Sequence, residues 1–574
     1  MQRENYFCRM SPSIHHASSR PSWLPWLTLG WLVLNLLQAQ FTELFHDEAY
    51  YWTWSLSPAW GYAEHPPMIA WLIGLGRLLL PGELGVRLLP VLLGTGTFYL
   101  VGRLMAPLDG PPLLWLLGGV IGLQVVGFLA VPDSPYVFFV ALFMWQYRRY
   151  LQNDSWRNAL LLALCITGML YSKYHGMMVL GMVLLSHLKL LRQPKFWAIV
   201  GLVALTLLPL LAWLVEQEFA TFRFHLADRM RKAPDWTFFT NYLGGQFGIV
   251  GPLLGLIILP AAFLIRPQDQ FERSLQYVVL GVLAFLLLMS LRTWVEANWS
   301  AGALLPAMVL AGRFLTRRPR WQPWLWRLGI PSLLLMALLR VYLVFDFIAP
   351  LADEPVFKDE FHGWDQWAQQ VQDLAKGHPV LFHHSYQYPS KYWFYTGERA
   401  YTVPGFSYHH SQYAYLGQAD SLRGREVFFI SESPHPPLAG YWEAKNLQRT
   451  FHYTLIEDFQ SHPQVELSWT APPVVEGDSL RSQLLMQHPY PTPLRSSEAL
   501  PLGLALHVHQ NGPWRIYQAP LRQRPDFSVE ADTVRCSYPM EFAPGTYQVR
   551  ISLTHGPFSW GVYTPWAEVE VAEP

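Results

Sequence analysis

Acidic side chains stand where apolar stretches of this 574-residue chain end. Asp47 and Glu48 follow the first apolar run, and the loop 41–65 holds four acids and no Lys or Arg. Asp133 separates two later apolar runs. A charged group at the edge of a bilayer costs free energy, so its presence there indicates a function. Desolvation at that depth also raises the pKa of a carboxyl toward a range suited to proton transfer. The pattern predicts the active-site loop of an integral-membrane enzyme.

The composition divides the chain into two parts. Hydrophobic residues make up 51% and charged residues 14%, against about 25% charged residues in soluble proteins. Residues 24–347 are mostly apolar, whereas residues 350–574 are polar and mixed. The formal net charge is zero, so bulk electrostatics does not favour nucleic acid as a partner. Three cysteines offer neither a disulfide framework nor a CxxC metal site.

Twelve apolar runs lie between residues 24 and 347. The run at 66–80 covers roughly 22 Å, less than a hydrocarbon core of about 30 Å. If this run does not cross, the loops assigned to the inside carry roughly twice as many Arg and Lys residues as the outer ones. We therefore expect eleven crossings, within a range of about 11–13 helices, with a cytoplasmic tail at 1–23. Residues 350–574, Asp47 and Asp133 then share the outer face.

The outer part divides again at about residue 460. Residues 350–460 alternate short helical and strand patterns, with a helix expected at 365–375 and strands at 379–383 and 426–430. Residues 461–574 show β alternation between Pro/Gly turns. This predicts a soluble α/β subdomain followed by a β-sandwich-like one. The aromatic residues near Tyr386 and Trp393 could contact carbohydrate or, equally, form the core.

Six short motifs occur in a characteristic order. They are Asp47-Glu48, Glu64-His65-Pro66-Pro67, Pro132-Asp133-Ser134-Pro135, Ser172-Lys173-Tyr174, Phe222-Arg223-Phe224-His225 and Glu296-Ala297-Asn298-Trp299. Together they resemble the bacterial branch of the protein O-mannosyltransferase family, which is similar to lipid A aminoarabinose transferases and lipopolysaccharide-core galacturonic acid transferases. The resemblance covers residues 24–347. It implies the GT-C fold, a site on the outer face and a polyprenyl-phosphate-linked sugar donor.

Within that resemblance the three acids have catalytic roles. Asp47 would take the proton of the acceptor hydroxyl as it attacks the anomeric carbon, and Asp133 would be the second acid. Glu48 could orient Asp47 or the acceptor. The structural alternatives are a helix cap or solvated acid for Asp47, ordinary turn chemistry for Asp133, and a solvent-facing Glu48.

Cations would bind the donor phosphate. Lys173 ends an apolar run on the outer side, where it could stabilise the leaving phosphate or only snorkel to the interface. Arg223 and His225 lie in the basic outer segment 217–245, which an anionic lipid or the neighbouring acids would neutralise.

The remaining polar residues are candidates for substrate binding. Glu64 and His65 could bind the acceptor, with His65 standing where the aminoarabinose transferases carry Lys. Glu64 aligns with a proposed metal-ligating Glu of those enzymes, so Glu64 and His225 could hold a divalent metal, although no cofactor is certain. Trp299 could stack on a sugar, with Glu296 or Asn298 bonding its hydroxyls, or these residues could form an interfacial Trp and a helix cap.

The sequence thus predicts a multi-pass enzyme of the bacterial inner membrane. It would transfer a sugar from a polyprenyl-phosphate carrier to a lipid A or lipopolysaccharide-type glycolipid on the outer face. A protein acceptor is the second possibility. A transporter or flippase for lipid-linked sugars is a further alternative, but it predicts internal repeats and mid-membrane charges, which the sequence does not display.

Overall fold

The computed structural model describes most of the chain beyond its first 21 residues. The described residues are 22–217, 219, 235–347, 360–383, 385–403, 411–415, 418–432, 440–444, 447, 449–461, 464–476, 479–488, 502–510, 526–530, 533–539, 543–555 and 558–571. Helices form the part up to residue 347, and helices with three sheets form the part from residue 360.

The helices of the first part follow the apolar runs. They are α1 Leu24–Phe41, α2 His46–Ser55, α3 Met68–Leu79, α4 Gly82–Leu104, α5 Pro111–Gly118, α6 Ile121–Phe128, α7 Asp133–Gln152, α8 Trp156–Ser172, α9 Gly176–Ser186, α10 Pro194–Thr206, α11 Leu208–Glu216, α12 Trp236–Val250, α13 Gly255–Leu264, α14 Gln270–Ser290, α15 Ala301–Arg317 and α16 Gln322–Val344. Short 3₁₀ turns precede α10, α15 and α16.

Several of these helices are long and apolar enough to cross a membrane. Within the described residues these are Gly82–Leu104, Gln270–Ser290, Ala297–Arg317 and Pro319–Val344. The pairs α5–α6, α10–α11 and α12–α13 pass the same test but bend by 70°, 48° and 101°. Helix α3 reaches only about 18 Å. The predicted total of eleven crossings therefore also depends on helices that do not pass this test, such as α1, α7 and α8, and it stays a prediction.

Burial distinguishes the centre of the helical part from its edge. The apolar window of Ala297–Arg317 is 89% buried, against 22% for Pro319–Val344. Helix α15 is therefore central, and α16 is peripheral with a broad apolar face left outward. A helix that is apolar all round fits a lipid surrounding.

The second part begins with a mixed sheet. Its helices are α17 Trp364–Ala375, α18 Gln387–Thr396 and α19 Gln412–Tyr415, and its strands are β1 Val380–His383, β2 Tyr401–Val403, β3 Val427–Ser431, β4 Gly440–Ala444 and β5 Arg449–Ile456. The order is β2-β1-β3-β5-β4, with β1 parallel to β2 and β3 and the other pairs antiparallel. The predicted helix at 365–375 and strands at 379–383 and 426–430 are present.

Two antiparallel sheets follow and share one core. Their strands are β6 Glu466–Glu476, β7 Ser479–Gln487, β8 Leu502–Gln510, β9 Asp526–Glu530, β10 Thr533–Pro539, β11 Gly545–His555, β12 Phe558–Tyr563 and β13 Ala567–Val571. One sheet has the order β6-β7-β10-β9, and in the other β11 pairs with β8, β12 and β13. Leu484 of one sheet and Ile551 of the other belong to the same buried cluster, as in a sandwich.

Candidate functional site

A cavity of about 1060 Å³ lies where α2, α6, the start of α7 and the segment before α15 meet. Eight residues singled out from the sequence line it: Asp47, Glu64, His65, Asp133, Lys173, Glu296, Asn298 and Trp299. The rest of its wall is largely apolar, and α6, α12 and α15 contribute the largest share. A large cavity with a few convergent polar groups is the usual form of a ligand site.

Helix direction explains part of this convergence. Only residues 153–155 join α7 to α8, so the two helices pack antiparallel. Asp133 begins α7 and Lys173 follows the last residue of α8, which brings both to one end of the pair. Asn298 lies just before α15 begins at Ala301, and it reaches the same end.

Asp47 lies in the first turn of α2 and is half-buried in the cavity wall. The Tyr386 hydroxyl donates a hydrogen bond of 3.0 Å to Asp47 Oδ1. Burial raises the pKa of Asp47 to about 6; the Tyr386 hydrogen bond opposes this rise, and the carboxylates of Glu360, Glu64 and Glu48 add to it. A carboxylate with that pKa is mostly ionised at pH 7 and still able to accept a proton.

Glu48, next to Asp47, does not line the cavity and does not face water. Its carboxylate is fully buried and pairs with Arg87 of α4, Nη2 to Oε2 at 2.6 Å and Nε to Oε1 at 2.7 Å. It also accepts hydrogen bonds from the amides of Phe45 and Ala130. These bonds fix the start of α2 relative to α4 and α6, so the position of Glu48 favours a role in orienting the Asp47 loop over direct catalysis.

Arg87 is a residue that the sequence analysis missed. Besides pairing with Glu48, its guanidinium donates to the carbonyl of Ala39, in the last turn of α1, and to those of Thr42 and Glu43, between α1 and α2. The available signal was a cation close to the start of the apolar run 84–105.

Asp133, Lys173 and Asn298 form a connected polar group. Lys173 Nζ lies 2.8 and 3.0 Å from the two carboxylate oxygens of Asp133, and both side chains are nearly buried. The Asn298 side-chain amide donates to Asp133 Oδ2 at 2.9 Å. The charges of Asp133 and Lys173 therefore neutralise each other. As a result Asp133 is less available as a second acid, and Lys173 offers less net charge to a phosphate.

Glu64 and His65 form the wall beside Asp47. The Tyr50 hydroxyl donates to Glu64 at 3.1 Å, and it accepts the backbone N–H of Gln412. The His65 ring lies edge-on to Tyr51 with centroids 6.0 Å apart. On another side of the cavity, Trp299 contacts the ring of His175 with centroids 5.2 Å apart, and Glu296 stands beside it.

Arg223 and His225, expected to bind the donor phosphate, lie outside the described residues. The metal pair Glu64 and His225 therefore stays a prediction. Among the described residues, no group of three His, Cys, Asp or Glu side chains is arranged to hold a metal ion.

The second part of the chain contributes directly to this site. Tyr386, the residue before α18, contacts Asp47, and α18 packs on α2. Glu43 accepts the N–H groups of Gly363 and Trp364 at the start of α17, both at 2.8 Å. Lys391 is fully buried and donates to the carbonyl of Leu44; burial lowers its pKa to about 7. Aromatic enrichment near Tyr386 was the sequence signal for this contact.

Comparison with known proteins supports the resemblance drawn from the sequence. Residues 64–213 match the family described as dolichyl-phosphate-mannose-protein mannosyltransferase. Over 310 residues, the chain is 26% identical to the lipid A galacturonosyltransferase RgtD of Rhizobium johnstonii. This alignment covers 50% of the chain and 64% of RgtD, which is less than two thirds of that relative.

The fold is that of ArnT from Cupriavidus metallidurans. The apo structure of ArnT and the structure bound to undecaprenyl phosphate superpose with TM-scores of 0.54 and 0.53 at 14% identity. Each covers 75% of the chain, and the chain covers 97% and 98% of the respective ArnT structure. The predicted GT-C membrane fold with a strand-rich C-terminal part is confirmed, and the chain is a multi-pass membrane protein.

Proposed function

We propose that this protein is a membrane glycosyltransferase that moves a sugar from a polyprenyl-phosphate carrier to a lipid A or lipopolysaccharide-type glycolipid. The observation that carries the proposal is that Asp47, whose pKa is raised to about 6, lines the same cavity as Lys173 and Trp299. The similarity to a lipid A galacturonosyltransferase supports the acceptor class, and the fold shared with an undecaprenyl phosphate-binding protein supports the donor class.

In this mechanism the acceptor hydroxyl oxygen bonds to the anomeric carbon of the sugar. The bond from that carbon to the phosphate oxygen breaks, and its electron pair leaves with the polyprenyl phosphate. The hydroxyl proton passes to Asp47, whose first-turn position on α2 and hydrogen bond from Tyr386 orient the carboxylate. A single displacement of this kind inverts the anomeric centre.

Charge on the leaving phosphate needs a nearby donor. An ammonium has three N–H donors, and the two oxygens of Asp133 engage Lys173 from one side. Lys173 can therefore offer a further N–H to a phosphate oxygen while Asp133 and Asn298 hold it in place. Arg223 and His225 are proposed to add charge at the same phosphate, and Glu64 and His65 to contact the acceptor.

We place the protein in the bacterial inner membrane with the cavity and the second part of the chain on the periplasmic face. The distribution of Arg and Lys residues between the loops supports this orientation.

The test compares the wild type with Asp47→Asn. Each purified protein receives a pool of polyprenyl-phosphate sugars with lipid A-type glycolipids and an acceptor protein, and mass spectrometry records sugar-sized mass shifts. We expect the wild type to modify the glycolipid and Asp47→Asn to be about 10²- to 10⁴-fold slower. Asp154→Asn is the matched control, because Asp154 is an exposed acid remote from the cavity and paired only with Lys195 among the described residues.

Each alternative result has a distinct meaning. Equal rates for the wild type and Asp47→Asn would remove Asp47 from its role as base. Modification of the protein alone would move the acceptor class to proteins. Binding of the lipid-linked sugar by folded protein, with no transfer to either acceptor, would favour transport.

A further inference from the structure

A second large cavity lies on the other side of α6 from the proposed reaction site. It has a volume of about 1040 Å³ and runs between α1 and α16, with α5 and α6 behind it. The residues at its mouth are large, apolar and exposed, among them Trp26, Leu34, Leu37, Phe41, Val341 and Phe345. Along α1 it extends from Trp26 to Phe41, about 22 Å at 1.5 Å per residue. Such a groove faces the lipid.

The wall of this groove contains a buried cation, Arg340 of α16. Its Nε donates to Gln124 Oε1 at 2.6 Å and its Nη2 to Asn35 Oδ1 at 2.8 Å. The rings of Trp31 and Phe128 lie 5.3 and 5.6 Å from its central carbon. Nη1 is buried and has no hydrogen-bond partner among the described residues.

Arg340 differs from the other buried arginines of the described structure. Arg87 pairs with Glu48 and Arg313 pairs with Glu272, in each case within 2.8 Å. The partners of Arg340 among the described residues are neutral amide oxygens and aromatic rings. Because arginine stays charged and a buried ion without a counter-ion is strongly destabilising, the described surroundings of Arg340 favour an anion as its ligand.

The depth of Arg340 fits a lipid headgroup. It lies four residues before the end of α16 at Val344, which is about 6 Å along the helix axis. The Gln38 side chain donates to the Arg340 carbonyl, so the same level corresponds to the last turn of α1, next to the Asp47 loop. The apolar length of the groove then extends from the cation toward the opposite end of α1.

We propose that this groove binds one anionic phospholipid of the surrounding bilayer. The phosphate pairs with the Arg340 guanidinium, and an acyl chain lies between α1 and α16. Because Nη1 is covered, a phosphate oxygen reaches it after a small rearrangement of neighbouring side chains. Among the residues that the structure describes, none lines both the groove and the reaction cavity. The sugar donor is assigned to the reaction cavity, which favours a bilayer phospholipid as the occupant of the groove.

Helix α6 is the physical link between the two cavities. Gln124 faces Arg340 in the groove, while its neighbours Leu123 and Val125 line the reaction cavity. A lipid phosphate that neutralises Arg340 also stabilises the hydrogen bond from Arg340 to Gln124. Because Gln124 belongs to α6, the lipid thereby holds α6 in place.

Native mass spectrometry of the full-length protein in detergent tests this proposal. Phosphatidylglycerol and phosphatidylcholine are titrated separately into the wild type, Arg340→Gln and Arg327→Gln. We expect the wild type to retain one phosphatidylglycerol about tenfold more tightly than phosphatidylcholine, or tighter still, because the choline cation offsets the negative charge of its phosphate and is repelled by Arg340; tenfold corresponds to about 1.4 kcal/mol. Arg340→Gln should lose that preference. Arg327, exposed near the other end of α16, is the matched control and should leave it intact.

Equal retention of both lipids by the wild type would overturn the proposal, and this arm needs no variant to fold. The proposal would also be overturned if Arg327→Gln weakened phosphatidylglycerol binding as much as Arg340→Gln. A third arm adds undecaprenyl phosphate: if Arg340→Gln abolishes only the binding of that lipid, the groove belongs to the donor and the proposal is wrong. None of these binding measurements requires sugar transfer, so their results can be interpreted even if the proposed function is wrong.

Discussion

Replacing Tyr386 with Phe removes one hydroxyl and keeps the ring. That hydroxyl donates to Asp47 Oδ1 at 3.0 Å and opposes the rise in the Asp47 pKa caused by burial. Without the hydrogen bond the carboxylate is less stabilised than the protonated acid, so the pKa of Asp47 rises above its value of about 6. Because the proposed base acts only when ionised, activity on the acidic side should fall.

The size of the shift follows from the bond that is lost. A hydrogen bond to a charged group contributes about 1.5–3 kcal/mol, and one pKa unit corresponds to about 1.36 kcal/mol. Asp47 is half-buried in a roomy cavity, so water replaces part of the bond and a shift of about one unit is expected. The variant should then be about fivefold less active at pH 6, about twofold at pH 7 and nearly unchanged at pH 8.

The measurement is the pH dependence of kcat/KM for sugar transfer, which reports the ionisation of the free enzyme. Tyr388→Phe is the matched control. Tyr388 lies two residues further on, in the first turn of α18, and its hydroxyl accepts from Arg449 at 2.6 Å. Its removal should leave the acidic limb of the profile in place.

Three results would refute this reasoning. The Tyr386→Phe profile could superimpose on that of the wild type, or Tyr388→Phe could shift the profile equally. A loss of activity that is uniform from pH 6 to 8 would assign Tyr386 to substrate binding or to folding, and not to the ionisation of Asp47.

Further predictions concern the groups that hold the site together. Arg87→Met leaves the Glu48 carboxylate buried without its cation and should destabilise the protein by about 3–5 kcal/mol, whereas a second change, Glu48→Met, should recover part of this; unchanged melting of Arg87→Met would contradict it. Lys173→Met should lower kcat/KM, and a double-mutant cycle with Asp133→Asn should show a coupling energy of about 0.5–3 kcal/mol, so strict additivity would argue against the pair. Glu43→Gln removes one hydrogen-bond acceptor and the negative charge at the start of α17, and it should lower the stability of that contact by about 1–2 kcal/mol. Limited proteolysis should then cleave the second part of the chain faster than in the wild type.

Local pattern was sufficient for much of the architecture. Apolar runs predicted helices in the first part, and the β alternation over residues 461–574 predicted the strand-rich region that holds β6 to β13. The candidate residues chosen from the sequence come together in space, since eight of them, four of which are acids, line one cavity; their roles stay predictions. The sequence did not anticipate the bend of 101° between α12 and α13, because a bend of that size depends on what packs around the break.

The roles of individual residues within the candidate site could not be predicted as well from the sequence. Asp47 and Glu48 are neighbours with the same functional group, yet one lines the cavity and the other is buried against Arg87. The two differ because successive residues of a helix point about 100° apart, and only the packing of α2 determines which direction leads to the cavity. Arg340 likewise carries no local sequence pattern that distinguishes it from other cations near helix ends.

The sequence by itself determined which segments are apolar, where charge interrupts them and in what order the motifs follow, because these properties depend on residues a few positions apart. Only the tertiary structure decided the partners: Asp133 with Lys173, Glu48 with Arg87, and Asp47 with Tyr386 across 339 positions. A hydrogen bond acts over about 3 Å, so its partner is set by how helices and sheets pack in space, and no local pattern along the chain encodes that distance.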